Sequence, residues 1–311
     1  MDILVGHTGF VGSNLNAQYK FDGAYNSVNI TDAFGTNPDL CIYSGVRAEK
    51  FLANANPKAD MESIENAIDN IKHINPKRLV LISTIEVYSV PHNCDENTLI
   101  DESEMLPYGY NRRQFEKWCE ANVENCHILR LPNLFGDNLK KNFLFDLIHV
   151  IPSALNEPKY KEFSKKENVV GSCYEKQPNG FYFLKAINSS KRNELFEAFS
   201  NMGFSAIHFT DSRVVFQFYN LAHLWEHVKV AINNNMPLLN LSVEPIMASE
   251  LYQAICGEVF DNEITYNPLT YDFKTIYADE LGGEDGYIFD KQRVVSEIKQ
   301  YVNKEKSRLF T

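Results

Sequence analysis

The apolar run Ile3-Leu4-Val5 leads straight into Gly6-His7-Thr8-Gly9-Phe10-Val11-Gly12, and a helical pattern follows over 10–18. A strand, a glycine loop and a helix in this order constrain the chain more than any other feature. The glycines permit a tight turn, close backbone approach and close helix–strand packing. Beyond them the helix N-terminus offers N–H groups and a dipole to an anion. In that context the loop points to the pyrophosphate of a dinucleotide, set against the plainer reading of a connecting turn. The acidic residue that grips a cofactor ribose is expected about 20 residues on. The matching stretch reads Ala24-Tyr25-Asn26-Ser27, with Asp22 and Asp32 to either side and no arginine placed for a 2′-phosphate. NAD and NADP therefore both stay open.

Downstream, apolar runs alternate with helical spacing. Extended segments are predicted at 23–30, 39–43, 78–82 and 127–131, and helices at 61–73 and 110–123. In the first of these helices Ile64, Ala67, Ile68 and Ile71 form one stripe. Alternation of this kind is that of βαβ units over a parallel sheet, so the expected class is α/β and doubly wound. The second half is less regular, with helices expected at 192–201, 221–233, 249–256 and 291–302 and strand-like runs at 204–209 and 216–219. Residues 155–185, rich in Lys, Glu, Asn and Gly, read as surface structure, and Lys165 and Lys166 as a solvated face.

Charge excludes some partners. Lys and Arg number 30 against 41 Asp and Glu, a formal charge of −11, which opposes binding to nucleic acid or an anionic membrane surface. No apolar run approaches the ~20 residues of a membrane span, and no export signal is expected after Asp2. The six cysteines are scattered without a Cys-x-x-Cys pair, which suits reduced thiols in a cytoplasm and gives no zinc-ligand spacing, so no metal is expected.

Several segments in order resemble the extended short-chain dehydrogenase/reductase family, whose members include nucleotide-sugar epimerases, dehydratases and reductases. These are the glycine loop, Leu81-Ile-Ser-Thr-Ile-Glu-Val-Tyr88, Pro107-Tyr108-Gly109-Tyr110-Asn111-Arg112 with Glu116 four further on, and Leu129-Arg-Leu-Pro-Asn-Leu-Phe-Gly136. Phe216 to Ala222, Leu239-Asn240-Leu241 and the helix from Ser249 are similar to the family's C-terminal half, while 155–205 lies outside the likeness. The resemblance implies a Rossmann-type sheet with a smaller C-terminal α/β lobe. It implies a dinucleotide-binding domain over 1–150, with 210–236 returning to it, and a substrate lobe from 151–209 and 237–311. It further implies a nucleotide-sugar substrate and a homodimer built on two helices per subunit, which the apolar faces around 64–71 and 115–118 permit. The implied cofactor contacts are Gly6, Thr8, Gly9, Phe10, Val11, Gly12, Asn26, Asp32, Ser44 and Gly45; the implied substrate contacts are Asn133, Asn142 and Arg213.

The implied chemistry is hydride transfer with Tyr108 as acid/base and Thr84 bonded to the same oxygen. Tyr108 and Arg112 stand one helical turn apart, so a cation shares the tyrosine's face and is expected to lower its pKa. Three departures stand out. Arg112 replaces the family's usual lysine and cannot relay a proton, since a guanidinium does not deprotonate in proteins. Ile85 replaces the acid of the dehydratases, leaving Glu86 as a base or as a solvated strand-end glutamate. The asparagine of the preceding helix falls by count at Asp60 or a neighbour. Two alternatives follow: a nucleotide-binding protein that has lost redox activity, and a dehydratase or decarboxylase using Glu86.

Overall fold

The computed structural model describes residues 1–309 of the 311. The chain divides into two units, one of residues 1–139, 215–247 and 269–299, the other of 140–214, 248–268 and 300–311.

The first unit is built on β1 (Asp2–Val5), α1 (Phe10–Gln18), β2 (Gly23–Tyr25), β3 (Leu40–Tyr43), α2 (Lys50–Ala55), α3 (Pro57–Ile74), β4 (Leu79–Thr84), α4 (Pro107–Asn122), β5 (Cys126–Leu131), α5 (Leu224–Asn233), β6 (Leu238–Asn240) and the part of α6 (Lys291–Leu309) up to Lys299. Six parallel strands form one sheet in the order β6-β5-β4-β3-β1-β2. After β2 the chain crosses back to the other side of β1, so the winding reverses between β1 and β3. Ligands in open α/β sheets bind at such a reversal, outside the carboxyl ends of the strands. The sheet is the doubly wound, Rossmann-type one expected from the alternation.

The strands are near-continuous runs of Val, Ile and Leu because both faces of the sheet are covered. Ile3, Ile42, Leu79 and Val80 are wholly buried. On one face the stripe Ile64, Ala67, Ile71 and Ile74 of α3 packs with Phe115 and Cys119 of α4 against β1, β3, β4 and β5. The apolar faces that left room for a helix-paired dimer are thus occupied within the chain. Asn56 caps α3 with Pro57 in its first turn, and Asn75 ends it in the left-handed region at φ 52°.

The observed division differs from the expected one. Leu238–Asn240 pairs in parallel with β5, Leu238 opposite Ile128, so residues placed in the substrate lobe complete the main sheet instead. Residues 215–247 and 269–299 both belong to this unit, and the first segment ends at 139 rather than 150.

The second unit contradicts the reading of 155–185 as surface structure. Its three short strands pair antiparallel, with Tyr182–Leu184 between Ala154–Leu155 and Tyr174–Lys176. Helices Glu157–Lys166, Asn168–Cys173 and Ser189–Asn201 enclose a core of Leu155, Phe163, Val170, Leu195 and Phe199. Lys165 and Lys166 are exposed, as expected of a solvated face. Residues 206–209, expected as strand, form a 3-10 turn because Ser205 and His208 cap it reciprocally. Among the described residues no helix is long and apolar enough to cross a membrane, and no group of three His, Cys, Asp or Glu stands ready for a metal.

Helix α6 is fastened to the first unit by Glu297. Its carboxylate accepts from His223 Nε2 at 3.0 Å, from Asn220 Nδ2 at 2.8 Å and from Arg293 Nε at 3.1 Å. Burial on its own would raise this acid, but the three donors outweigh it and hold the pKa down at about 2. A depressed carboxylate contributes stability above its ordinary value of 4.5, and that contribution disappears as pH falls from there toward 2. Glu297→Gln should therefore flatten the acid side of the urea-midpoint profile between pH 5 and about 3; a profile parallel to that of the unmodified protein would refute the assignment.

Candidate active site

The glycine loop closes through its own backbone. Gly6 N–H donates to Tyr25 O at 2.7 Å, Gly9 N–H to Gly6 O at 2.9 Å, and Ser13 N–H to Gly9 O at 2.8 Å. Gly6 adopts φ +91°, and a Cβ on it would lie 2.5 Å from Ser44 O. A Cβ on Gly12 would fall 2.1 Å from Gly6 O. Neither position admits another residue without moving the backbone. The approach of Gly6 to Ser44 is also what brings the ends of β1 and β3 together at the winding reversal. Ser44 Oγ donates to Val5 O at 2.8 Å, which ties the same two strands, and Gly45 follows it exposed.

These features fit the pyrophosphate of a dinucleotide. Helix α1 starts at Gly9 with no side-chain cap and no acid in its first turn, which leaves the positive end of its dipole facing the loop. The Nδ1 atom of His7 is buried without a hydrogen-bond partner among the described residues, an orphan polar atom beside the same loop. Thr8 and Gly9 are exposed there and Phe10 and Val11 partly so. The ribose end is different. Beyond β2, Asn29 Oδ1 accepts from the Asn26 N–H at 2.8 Å and Asn26 Oδ1 from the Val28 N–H at 2.9 Å, so an amide occupies the place of the usual carboxylate. Asp32 lies exposed in the turn Ile30–Ala33.

Four of the candidate catalytic residues converge at the carboxyl end of β4. Thr84 ends the strand and caps the turn Ile85–Val87, accepting from the Glu86 N–H at 3.2 Å. Its hydroxyl stands beside the phenol of Tyr108, which enters from the first turn of α4, and acts to lower the phenol's pKa. Helix α4 comes this close only because Gly109 has no side chain: a Cβ there would sit 2.0 Å from Glu86 O. Asn54 Oδ1 accepts from the Tyr108 N–H at 2.9 Å and so takes a helix N–H that Leu106, at the N-cap, cannot satisfy.

Arg112 shares the face of Tyr108 as the spacing required, with its guanidinium carbon 4.4 Å from the ring centroid. It is held there by two acceptors. One terminal nitrogen donates to Asp60 Oδ2 at 2.6 Å and the other to Arg47 O at 2.7 Å, while Asn111 Nδ2 adds a 2.9 Å bond to the same Asp60 oxygen. Asp60, assigned only by counting, is thus the counter-ion of Arg112. The expected lowering of Tyr108 is corrected by the structure. Burial raises its pKa more than Arg112 lowers it, and the Glu86 charge adds to the rise, so the phenol keeps its proton at neutral pH.

Glu86 is neither free nor merely solvated. Lys50 Nζ lies 2.6 Å from Oε2, and Tyr271 OH donates to Oε1 at 2.9 Å. On the substrate side, Asn133 opens the short strand Asn133–Phe135, paired in parallel with Phe218–Asn220, and stays partly exposed. Asn142 and Arg213 belong to the second unit. Asn142 caps Phe143–His149, accepting from the N–H groups of Leu144 and Phe145. Arg213 makes two bonds to Asp211, one to Glu263 and one to Thr265 O, an ion network that engages it within its own unit.

Sequence reasoning missed the support beneath this group. Glu116, wholly buried on α4, receives Arg130 of β5 in two bonds of 2.9 and 2.6 Å, Ser83 Oγ at 2.6 Å and Arg113 at 3.0 Å. Arg130 also donates to Tyr88 OH at 2.8 Å. The available signal was a lone arginine inside the apolar strand Ile128-Leu-Arg-Leu131, since a charge there needs a buried partner.

The fold and this site define a doubly wound sheet with a glycine loop after β1 and a Tyr–Thr pair at the end of β4. Residues 26–176 match the model of the NAD dependent epimerase/dehydratase family, and the resemblance seen in the motifs is borne out over that stretch. No curated protein matches the chain. Among solved structures, dTDP-4-dehydrorhamnose reductase from Bacillus anthracis in complex with NADP superposes with a TM-score of 0.62 at 12% identity, covering 98% of this chain and 99% of that one. UDP-glucose 4-epimerase from Thermotoga maritima with UDP-glucose gives 0.58 at 13% identity over 99% and 100%. The enzyme WbmG of Bordetella bronchiseptica, in complex with NAD and UDP, gives 0.58 at 14% identity over 98% and 94%.

Replacing Glu116 by Gln should leave Arg130 buried with an uncompensated charge and destabilise the protein by about 3–5 kcal/mol in equilibrium unfolding. A loss under about 1 kcal/mol would mean that the pair does not hold α4 to the sheet.

Proposed function

We propose that the chain is an NAD(P)-dependent enzyme that reduces or epimerises a nucleotide sugar, with Tyr108 as the acid/base. The observation that carries this reading is the placement of Tyr108 beside Thr84 at the carboxyl end of β4, with Arg112 on the tyrosine ring, in the same unit as the Gly6–Gly12 loop. The family match and the bound ligands of the superposed enzymes support the cofactor and substrate classes.

When bound, the nicotinamide dinucleotide accepts or supplies hydride. The loop N–H groups and His7 hold its pyrophosphate, with Ser44 and Gly45 beside it. Asn26 and Asp32 stand nearest the ribose end, and without a carboxylate on β2 or an arginine nearby the choice between NAD and NADP rests on the amide of Asn26. Thr84 and Tyr108 bind the reacting sugar oxygen, and Asn133 is retained as a substrate contact. Because burial keeps Tyr108 protonated, it is poised to donate its proton to a carbonyl oxygen as the carbon is reduced. Arg112 holds the ring and the local charge; it moves no proton.

The dehydratase alternative loses ground, because both oxygens of Glu86 are engaged by Lys50 and Tyr271. The redox-inactive alternative draws on Arg112, whose bonds to Asp60 and Arg47 O keep it on the tyrosine ring.

Calorimetric titration with NAD, NADH, NADP and NADPH, followed by a sugar-nucleotide screen with the form that binds, tests the reading. Tyr108→Phe is expected to abolish turnover, by at least about 10²-fold, with cofactor affinity unchanged. Gly12→Val is expected to abolish cofactor binding itself. Turnover that survives Tyr108→Phe would overturn the acid/base assignment.

A further inference from the structure

The charges around Tyr108 come in two pairs. Arg112 of α4 is matched by Asp60 of α3 at 2.6 Å, both almost wholly buried. Glu86, in the turn after β4, is matched by Lys50 of α2 at 2.6 Å, with side chains 24% and 38% exposed. Thr84 and Asn54 add only neutral contacts, and Tyr271 donates to the other oxygen of Glu86. Each pair sums to zero; Arg112, Asp60 and Glu86 act on the phenol directly, and Lys50 reaches it through Glu86.

The two pairs are not equivalent. The first is locked on all sides, since Asn111 and Arg47 O complete its hydrogen bonds. A guanidinium stays charged at any working pH. The second pair reaches solvent through a lysine on a short helix, six residues long. An ammonium on a flexible stem is a charge that can shift or exchange partners. Glu86 is the anion it controls, and that anion acts on Tyr108 in the direction that disfavours ionisation.

We propose that Lys50 is a positioning residue of this site: by neutralising Glu86 it sets the charge beside the Tyr108 hydroxyl and so governs how readily that hydroxyl gives up or takes back a proton. The proposal rests on the acid/base reading of Tyr108 but concerns a residue outside the family's Tyr-x-x-x-Lys pattern. Without Lys50 the carboxylate of Glu86 stands uncompensated next to the phenol, and ionisation becomes harder. Without Glu86 the ammonium stands alone, and ionisation becomes easier. Without both, the two effects cancel.

The test needs no substrate. Ionisation of Tyr108 is read as the difference in absorbance at 295 nm between each protein and its Tyr108→Phe counterpart, from pH 7 upward over the range in which far-ultraviolet circular dichroism stays native. Lys50→Met should reduce the Tyr108 acid-dissociation constant about tenfold relative to Lys50→Arg, whose guanidinium keeps its charge throughout the titration, and Glu86→Gln should raise it about tenfold. The double variant Lys50→Met/Glu86→Gln should lie between Lys50→Met and Glu86→Gln. Glu86→Gln brings the transition toward neutral pH, so a tyrosine too buried to titrate in the unmodified protein still reports. The same curve in all five proteins, or no Tyr108 signal in any of them, would overturn the proposal. Turnover of UDP-glucose or another screened sugar nucleotide by the Tyr108→Phe variant would count against the acid/base reading alone, because the titration is independent of it.

Discussion

The site depends on a carboxylate that water never reaches. Glu116 lies under the carboxyl end of β4, where it receives Arg130 from β5 and Ser83 from β4 while itself belonging to α4. A buried ion pair gains little over a well-packed apolar contact, but it has one low-energy geometry and punishes any other. Its partners therefore fix how far α4 can rotate or slide over the strands. Thr84 follows Ser83, and Tyr108 sits two turns before Glu116 on the same helix. The separation of Thr84 and Tyr108 is inherited from a contact that touches neither of them. Tyr88 extends the same network, with its hydroxyl bonded to Arg130 and Asn240, and burial pushes its pKa up to about 12.

The parts legible in the sequence are those written in local periodicity. The β1–loop–α1 unit, the α3 stripe and the apolar strands each repeat at a spacing that only one secondary structure uses, and glycine spacing marked the close turn between β1 and α1. The core of the second unit was hidden for the opposite reason. Phe163, Val170, Leu195 and Phe199 stand singly among lysines and glutamates, so no window is apolar enough to announce a core, and only the pairing of short strands and helices collects them. Residues 238–240 were misplaced because a three-residue strand at the edge of a sheet carries almost no pattern; its position follows from parallel pairing with β5.

The same limit applied to the site. The spacing correctly placed Arg112 on the face of Tyr108, but its bonds run to Asp60 and Arg47, on other parts of the fold. The sign of the Tyr108 shift was misread because it depends on how deeply the phenol is buried, and depth belongs to the assembled packing rather than to any helix. Glu86 was left even between base and solvated glutamate, and its partners lie 36 and 185 residues away, beyond the reach of local spacing.

Gly109 carries a final consequence. With the α4 backbone pressed against Glu86 O, there is no slack between the helix and the strand-end turn. The Tyr–Thr pair is consequently a rigid jig whose spacing exists before any ligand arrives, so little conformational entropy remains to be lost there when one binds. Adaptation to differently shaped ligands must then come from elements that can still yield, while the strand end keeps one gauge for all of them.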